Sequence, residues 1–242
     1  MPDKLIGVSI TVGEDGVTLD QQLYAESIIV AGMGSMEVRE RFTPLDPGMD
    51  LSARQDHEEE LDPIIYPCTS ILGKLMFLAG MTRPDLANSV RELEGRAASP
   101  CMRHWRGLQH VLRYVAGTLD SCIHYDRGNK DMNEREEELL VGYEDSDWGT
   151  DQQTCRSDTG FIILLNGSPI AWRSKLQGGV NLSSSEAEWT AMHTACVTAF
   201  SFKAFWGRLA YYRNRFPGSV IIVVLFKRAA SQDSMEGPNM WT

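Results

Sequence analysis

Two acidic segments about forty residues apart hold the residues best suited to chemistry. The first, Val141-Gly-Tyr-Glu-Asp-Ser-Asp-Trp148, reads as a short strand that ends in acid. The second, Leu182-Ser-Ser-Ser-Glu-Ala-Glu-Trp-Thr-Ala191, reads as a serine-capped helix start with two glutamates. A carboxylate at a strand end and another in the first turns of a helix can meet around divalent cations. Hard cations such as Mg2+ take oxygen ligands. A pair of them about 3.5–4 Å apart cleaves phosphodiesters by activating water and stabilising the leaving oxygen. Two carboxylates are fewer than such a site needs.

Other residue types offer less. His57, His104, His110, His124 and His193 are scattered, with no HExxH and no Cys/His cluster, so surface or satisfied structural roles are expected. Ser183 to Ser185 lack a GxSxG elbow and read as helix caps, with Glu186 or Glu188 three residues on as the capping-box partner. Trp148, Trp172 and Trp189 could stack on bases, but core positions are the first expectation. No GxxxxGK[ST] phosphate loop is present.

The elements that must position these residues follow from periodicity. Leu5 to Val12 alternates as a strand, Gly13 to Gly16 turns, and Val17 to Leu19 returns. Gln22 to Val30 reads as a helix ended by Gly32. Pro44, Pro47 and the acidic run Asp56 to Glu60 predict an exposed, solvated connector. Helices are expected over Tyr66–Ala79, from Pro84 to about Ala97, and over Met102–Ala116. In the last, Trp105, Leu108, Leu112 and Val115 form a buried stripe. Arg103, Arg106, His110 and Arg113 fall opposite, either as solvated surface or as a face that touches a phosphate backbone. The charge-rich stretch 128–138 reads as a linker. Beyond it come strands at Leu139–Tyr143, Gly160–Leu165 and Ile170–Trp172, with Asn166-Gly167 as a hairpin turn. A helix to about Tyr212 and a β-branched strand over Ser219–Phe226 complete the order, and 229–242 has no period.

The chain has 242 residues, 43% of them hydrophobic, enough for one large domain or two small ones. Its formal charge of −10 argues against indiscriminate nucleic-acid binding and leaves room for a local basic groove. Five dispersed cysteines with no CxxC fit neither zinc nor a disulfide framework and point to a reducing compartment. Without an apolar leader or a run long enough to span a bilayer, an intracellular protein with no membrane partner is expected.

Several segments, in order, resemble the pol polyprotein of copia-type retrotransposons. They are Gly16-Val-Thr-Leu-Asp-Gln-Gln-Leu-Tyr24, Tyr66 to Leu78, Thr82-Arg-Pro-Asp85, His104-Trp105 and Val111 to Thr118. They continue with Gly142 to Trp148, Arg156 to Gly160, Trp172 to Gln177 and Ser183 to Ala191. The resemblance implies the end of a reverse transcriptase palm (1–50), a helical thumb or connection region (51–127) and a truncated ribonuclease H-like domain (139–228). That fold class is α+β or α/β, a mixed sheet with a flanking helix behind a mainly helical region. The tail 229–242 is expected to be disordered or aberrant.

The implied chemistry is hydrolysis of RNA in RNA–DNA hybrids with Mg2+ or Mn2+ held by four carboxylates. Asp145 matches the first and Glu188 the second. Taken alone, Asp145 would be a turn residue and Glu188 a complement to the helix dipole. The third should follow the strand after the long helix, where Phe226 stands with Lys227 beside it. The fourth has no match. Weak or absent hydrolysis is therefore expected, and no DNA synthesis, since the family's Tyr-x-Asp-Asp motif does not occur. Two other readings stay open: a binding module that grips nucleic acid through Arg103, Arg106, Arg113, Arg173 and Lys175, and an inactive remnant. Other segments of the polyprotein are expected partners.

Overall fold

The computed structural model describes residues 3–127, 140–151, 153–213 and 224–228. Among the described residues there are five α-helices and two four-stranded sheets, a mixed α+β architecture. The chain divides into two compact units, Met1–Tyr125 and Asp126–Thr242. The expected linker (128–138), the tail (229–242) and the first half of the last predicted strand (219–223) lie outside the described residues.

In the first unit, β1 (Lys4–Leu5), β2 (Val8–Val12) and β3 (Gly16–Asp20) pair as an antiparallel meander, and β4 (Ile123–Asp126) adds to β3. Sequence periodicity does not reveal β4, because Ile-His-Tyr-Asp is too short to show a period. Four helices follow or intervene: α1 (Gln22–Met33), α2 (Cys68–Met81), α3 (Ala87–Glu94) and α4 (Met102–Gly117). Helix α1 ends at Gly34, not Gly32: Gly34 adopts φ 76°, a left-handed cap that glycine enters without strain. Gly32 stays helical because α4 packs against it; a Cβ there would lie 2.4 Å from Leu112 Cδ1. The core joins Ile28 and Ile29 of α1, Leu75 and Leu78 of α2, and Trp105, Leu108, Leu112 and Val115 of α4, so the predicted α4 stripe is buried.

Thr82-Arg-Pro-Asp85 locks these helices together. The Thr82 hydroxyl donates to Gln21 Oε1 at 2.9 Å. Arg83 is 3% exposed. Its guanidinium forks onto Asp85 at 2.8–3.2 Å, donates to the Thr118 carbonyl and hydroxyl at 2.9 and 2.6 Å, and lies 5.7 Å from the Tyr114 ring centroid. One buried cation thus ties the α2–α3 corner to the end of α4, and Pro84 opens the single 3-10 turn between α2 and α3.

Part of the α4 face that reads as solvated surface or as a phosphate-contact face is covered by the 35–66 connector, while Arg106 stays exposed. His110 is buried with Nε2 at 3.0 Å from the Thr43 carbonyl. Arg103 donates to Asp50 at 2.5 Å, to Ser52 Oγ at 2.8 Å and to Glu58. The predicted solvated run therefore supplies an anchor, because Glu58 neutralises a half-buried arginine. His104 caps α4 with Cys101: Nδ1 accepts from the Cys101 N–H at 3.1 Å, and Nε2 is 2.8 Å from the Ser52 carbonyl. That network assigns the neutral tautomer with its proton on Nε2.

In the second unit, β5 (Leu140–Asp151), β6 (Arg156–Leu165) and β7 (Ser168–Leu176) form an antiparallel meander, and β8 (Val224–Arg228) lies parallel to β5 on its other side. Asn166 and Gly167, at φ 50° and 83°, make the predicted hairpin turn. Helix α5 (Ser184–Arg213) packs on this sheet through Ala187, Ala191, Ala195 and Ala199, all fully buried. Their spacing of four keeps them on one face, and methyl side chains let the helix lie close to Leu140, Phe161 and Ile163.

Arg83→Met should lower the unfolding free energy by about 3–5 kcal/mol, because it strands Asp85 and leaves the Thr118 carbonyl unpaired; urea melts of both proteins check this. Burial holds the His104 pKa below its ordinary 6.5. A native state that resists protonation is most stable above 6.5 and weakens as pH falls through the lowered value. Urea midpoints should therefore drop below pH 6.5, and His104→Gln should flatten that part of the profile.

Candidate functional site

Strand β5 runs further than its apolar residues indicate. Its ladder with β6 continues through Asp145↔Gly160 and Asp147↔Asp158 before an irregularity ahead of Asp151↔Arg156. Asp145 is therefore inside the strand and not at its end. The acid run extends because β6 supplies partners for its backbone, which local propensity does not register.

Inside a strand, side chains alternate between faces. Leu140, Gly142, Glu144 and Ser146 share the face that α5 covers, fixed by Leu140 packing with Ala195 and Ala199. Val141, Tyr143, Asp145 and Asp147 take the other face. Glu144, 8% exposed, thus projects toward the helix, while Asp145 is exposed on the far side. The pKa of the Cys196 thiol on α5 is raised by burial and then by the charge of Glu144, in keeping with the first placement. Glu188 is half-buried on the same α5 flank as Met192 and Cys196, two turns before the cysteine.

Sequence reasoning passed over Glu144. The signal was available, since Leu140, Gly142 and Glu144 follow one period of two once the strand is known to continue. Glu186, the neighbour of Glu188, serves the cap: the Glu186 N–H donates to Ser183 Oγ at 3.2 Å, and its carboxylate accepts from the Leu182 N–H at 2.7 Å. Gln177 ties the helix start to the sheet, donating to Thr159 Oγ1 at 2.8 Å and to the Ala187 carbonyl at 3.0 Å. Trp148 and Trp189 are exposed, against the expectation that they are core; Trp148 donates from Nε1 to the Asn181 carbonyl at 3.0 Å.

The β5–β8 register sets what stands beside the acid run. Phe226 is level with Gly142, Lys227 with Tyr143 and Arg228 with Glu144. No carboxylate occurs among these five β8 residues. Phe226 sits three positions short of Asp145, about 10 Å back along the strand at ~3.3 Å per residue. Among the described residues, no three His, Cys, Asp or Glu side chains gather as a metal-holding group.

The predicted basic residues divide between the units. Arg103 is committed to Asp50 and Glu58, which holds its guanidinium in the connector. Arg106 is exposed on α4 and Arg113 half-buried. Arg173 and Lys175 are exposed on β7, at positions facing Phe161 and Thr159. Among the described residues, no helix is long and apolar enough to cross a membrane.

The chain is 40% identical over 133 residues to "Secreted RxLR effector protein 161" of Plasmopara viticola, covering 55% of this chain and 89% of that one. It is 32% identical over 187 residues to "Uncharacterized mitochondrial protein AtMg00810" of Arabidopsis thaliana, covering 77% and 72%. Over the same share of this chain it is 33% identical to "Retrovirus-related Pol polyprotein from transposon RE2" of Arabidopsis thaliana. The chain is thus similar to a transposon Pol polyprotein over 77% of its own length. It spans only 12% of the length of the RE2 polyprotein, so it corresponds to a small part of such a Pol chain. No family model and no solved structure matches it.

For this Pol-related chain, Glu144→Gln should bring the Cys196 thiol down and speed its alkylation at pH 8, read residue by residue by mass spectrometry. Asp145→Asn should leave that rate unchanged, because its carboxylate is on the other face.

Proposed function

We propose that the chain is a piece of a copia-type Pol polyprotein, the end of a reverse transcriptase (1–127) joined to a ribonuclease H-type domain (139–228). Its hydrolysis of RNA in RNA–DNA hybrids is weak or absent. The observation that supports this reading is the β5–β8 register, in which no β8 residue paired with β5 is a carboxylate and Arg228 stands level with Glu144.

Asp145 and Glu188 are hard oxygen donors of the kind Mg2+ or Mn2+ takes. As a set they do not fit a pair of such ions. Alternation separates Asp145 from the helix-covered face, and the β8 residues paired with β5 include no carboxylate. Glu144 reaches that face but stands level with Arg228. Metal-ion catalysis depends on charge stabilisation and fixed geometry together, so the loss of a principal ligand removes most of the rate.

Affinity for nucleic acid rests on different residues and outlasts the loss of hydrolysis. Arg106 on the first unit, and separately Arg173 and Lys175 on the second, are exposed cations of the kind that contacts phosphates, and exposed Trp148 on the second unit is an aromatic of the kind that stacks on bases. Arg103 is excluded from this set because its charge is spent on Asp50 and Glu58. Other segments of the polyprotein remain its expected partners.

A labelled RNA–DNA hybrid incubated with the chain in Mg2+, then Mn2+, should yield no products above those of the Asp145→Asn, Glu188→Gln double variant. The same hybrid should bind with an affinity that falls as salt rises. Cleavage abolished by the double variant would overturn the reading of the site.

A further inference from the structure

Helix α4 and the connector that crosses it carry two arginines that the fold leaves without a partner. The Arg41 N–H donates to the Arg113 carbonyl at 3.3 Å, so the two residues stand side by side. The crossing is close, with the Glu40 stem and the Arg41 carbonyl lying over Gly117. Both arginines are half-buried, and the Nε of each is buried with no hydrogen-bond partner. Among the described residues neither guanidinium is in an ion pair, although the chain has 33 acidic residues to 23 basic ones.

Other arginines packed into this unit are all held by the protein. Arg83 and Arg103 grip carboxylates. Arg54 donates to Ser99 Oγ and to the Glu58 carbonyl, each at 2.8 Å, and Arg96 donates to the Leu51 carbonyl at 2.9 Å. A stem laid on apolar surface with its head in water accounts for one such arginine. It does not account for two buried, unpaired Nε donors rooted at one place, where two cations repel until an anion joins them. A buried N–H without an acceptor in the protein is the mark of a bound water or ion. The planar guanidinium fork matches phosphate in particular. Phe42, the residue after Arg41, is 95% exposed. An exposed aromatic next to cations suits a base and the phosphate attached to it.

We propose that Arg41 and Arg113 form a phosphate-binding site, with Phe42 as the stacking face for a base of the single-stranded nucleic acid that supplies the phosphate. This goes beyond the hybrid affinity described above, which rests on Arg106, Arg173 and Lys175, and either can fail without the other.

Fluorescence anisotropy of a labelled single-stranded oligonucleotide titrated with the full chain tests this. Arg41→Gln with Arg113→Gln should weaken binding by about tenfold or more, since hydrogen bonds to charged groups are the strong ones. The slope of log affinity against log salt should become shallower by about 0.7, for one phosphate no longer neutralised. Arg41→Lys with Arg113→Lys keeps the charge, loses the fork and should weaken binding by a smaller factor. Phe42→Ala should weaken the oligonucleotide and leave competition by inorganic phosphate unchanged. Without ligand, all these variants should melt with the wild type, because no protein acceptor is lost. Inorganic phosphate that raises the melting temperature of the wild type but not of the double glutamine variant, with no oligonucleotide bound, supports the site and assigns it to a free phosphate. Oligonucleotide binding and phosphate protection both indifferent to the double glutamine variant overturn the proposal, whether or not the hybrid binds. A double glutamine variant that melts well below the wild type without ligand overturns it too, since the two arginines are then structural.

Discussion

The second unit depends on β5 and on the alternation of its side chains. This strand carries the acid run, pairs antiparallel with β6 and parallel with β8, and receives α5 on one face. Because a strand sends neighbouring residues to opposite sides, the sequence Glu144-Asp145-Ser146-Asp147 cannot gather its carboxylates at one place. Alternation turns an acidic stretch that looks concentrated in sequence into two separated groups. Glu144 goes under the helix, and Asp145 and Asp147 go to the far face.

The two units are held by different means. In the first, the buried Arg83 guanidinium joins four partners from the α2–α3 corner and the end of α4, so a short polar motif fixes an otherwise apolar helical core. In the second, close approach replaces polar locking: four alanines lower α5 onto the sheet, and Gln177 pins its first turn. The α4 basic face shows how acidic composition is used locally. Asp50 and Glu58 are not diffuse surface charge but the counter-ions of Arg103, with Asp50 held at a pKa of about 2 by Ser52 and Arg103.

Much of this was legible in the sequence. The α4 stripe, the Asn166-Gly167 turn and the α5 cap follow from local rules of period and capping, and those elements stand where the rules put them. Three features depended on partners distant in sequence. The 35–66 connector reads as solvated because its acids have no visible counter-ion until α4 folds beside it. Strand β5 reads as ending at Tyr143 because its polar half is extended only by pairing with β6. Trp148 and Trp189 read as core because apolarity predicts burial without saying which face of a helix or strand is already occupied. The candidate site inherits the same limit: Asp145 and Glu188 were visible as residue types, whereas the face each one takes is a property of the sheet.

The most direct test of the account is Mn2+ binding to the folded chain, followed by electron paramagnetic resonance of the free ion during titration. The account predicts no saturable pair of sites and a weak uptake that Asp145→Asn with Glu188→Gln leaves unchanged. Two ions bound per chain, lost together in that double variant, would contradict it.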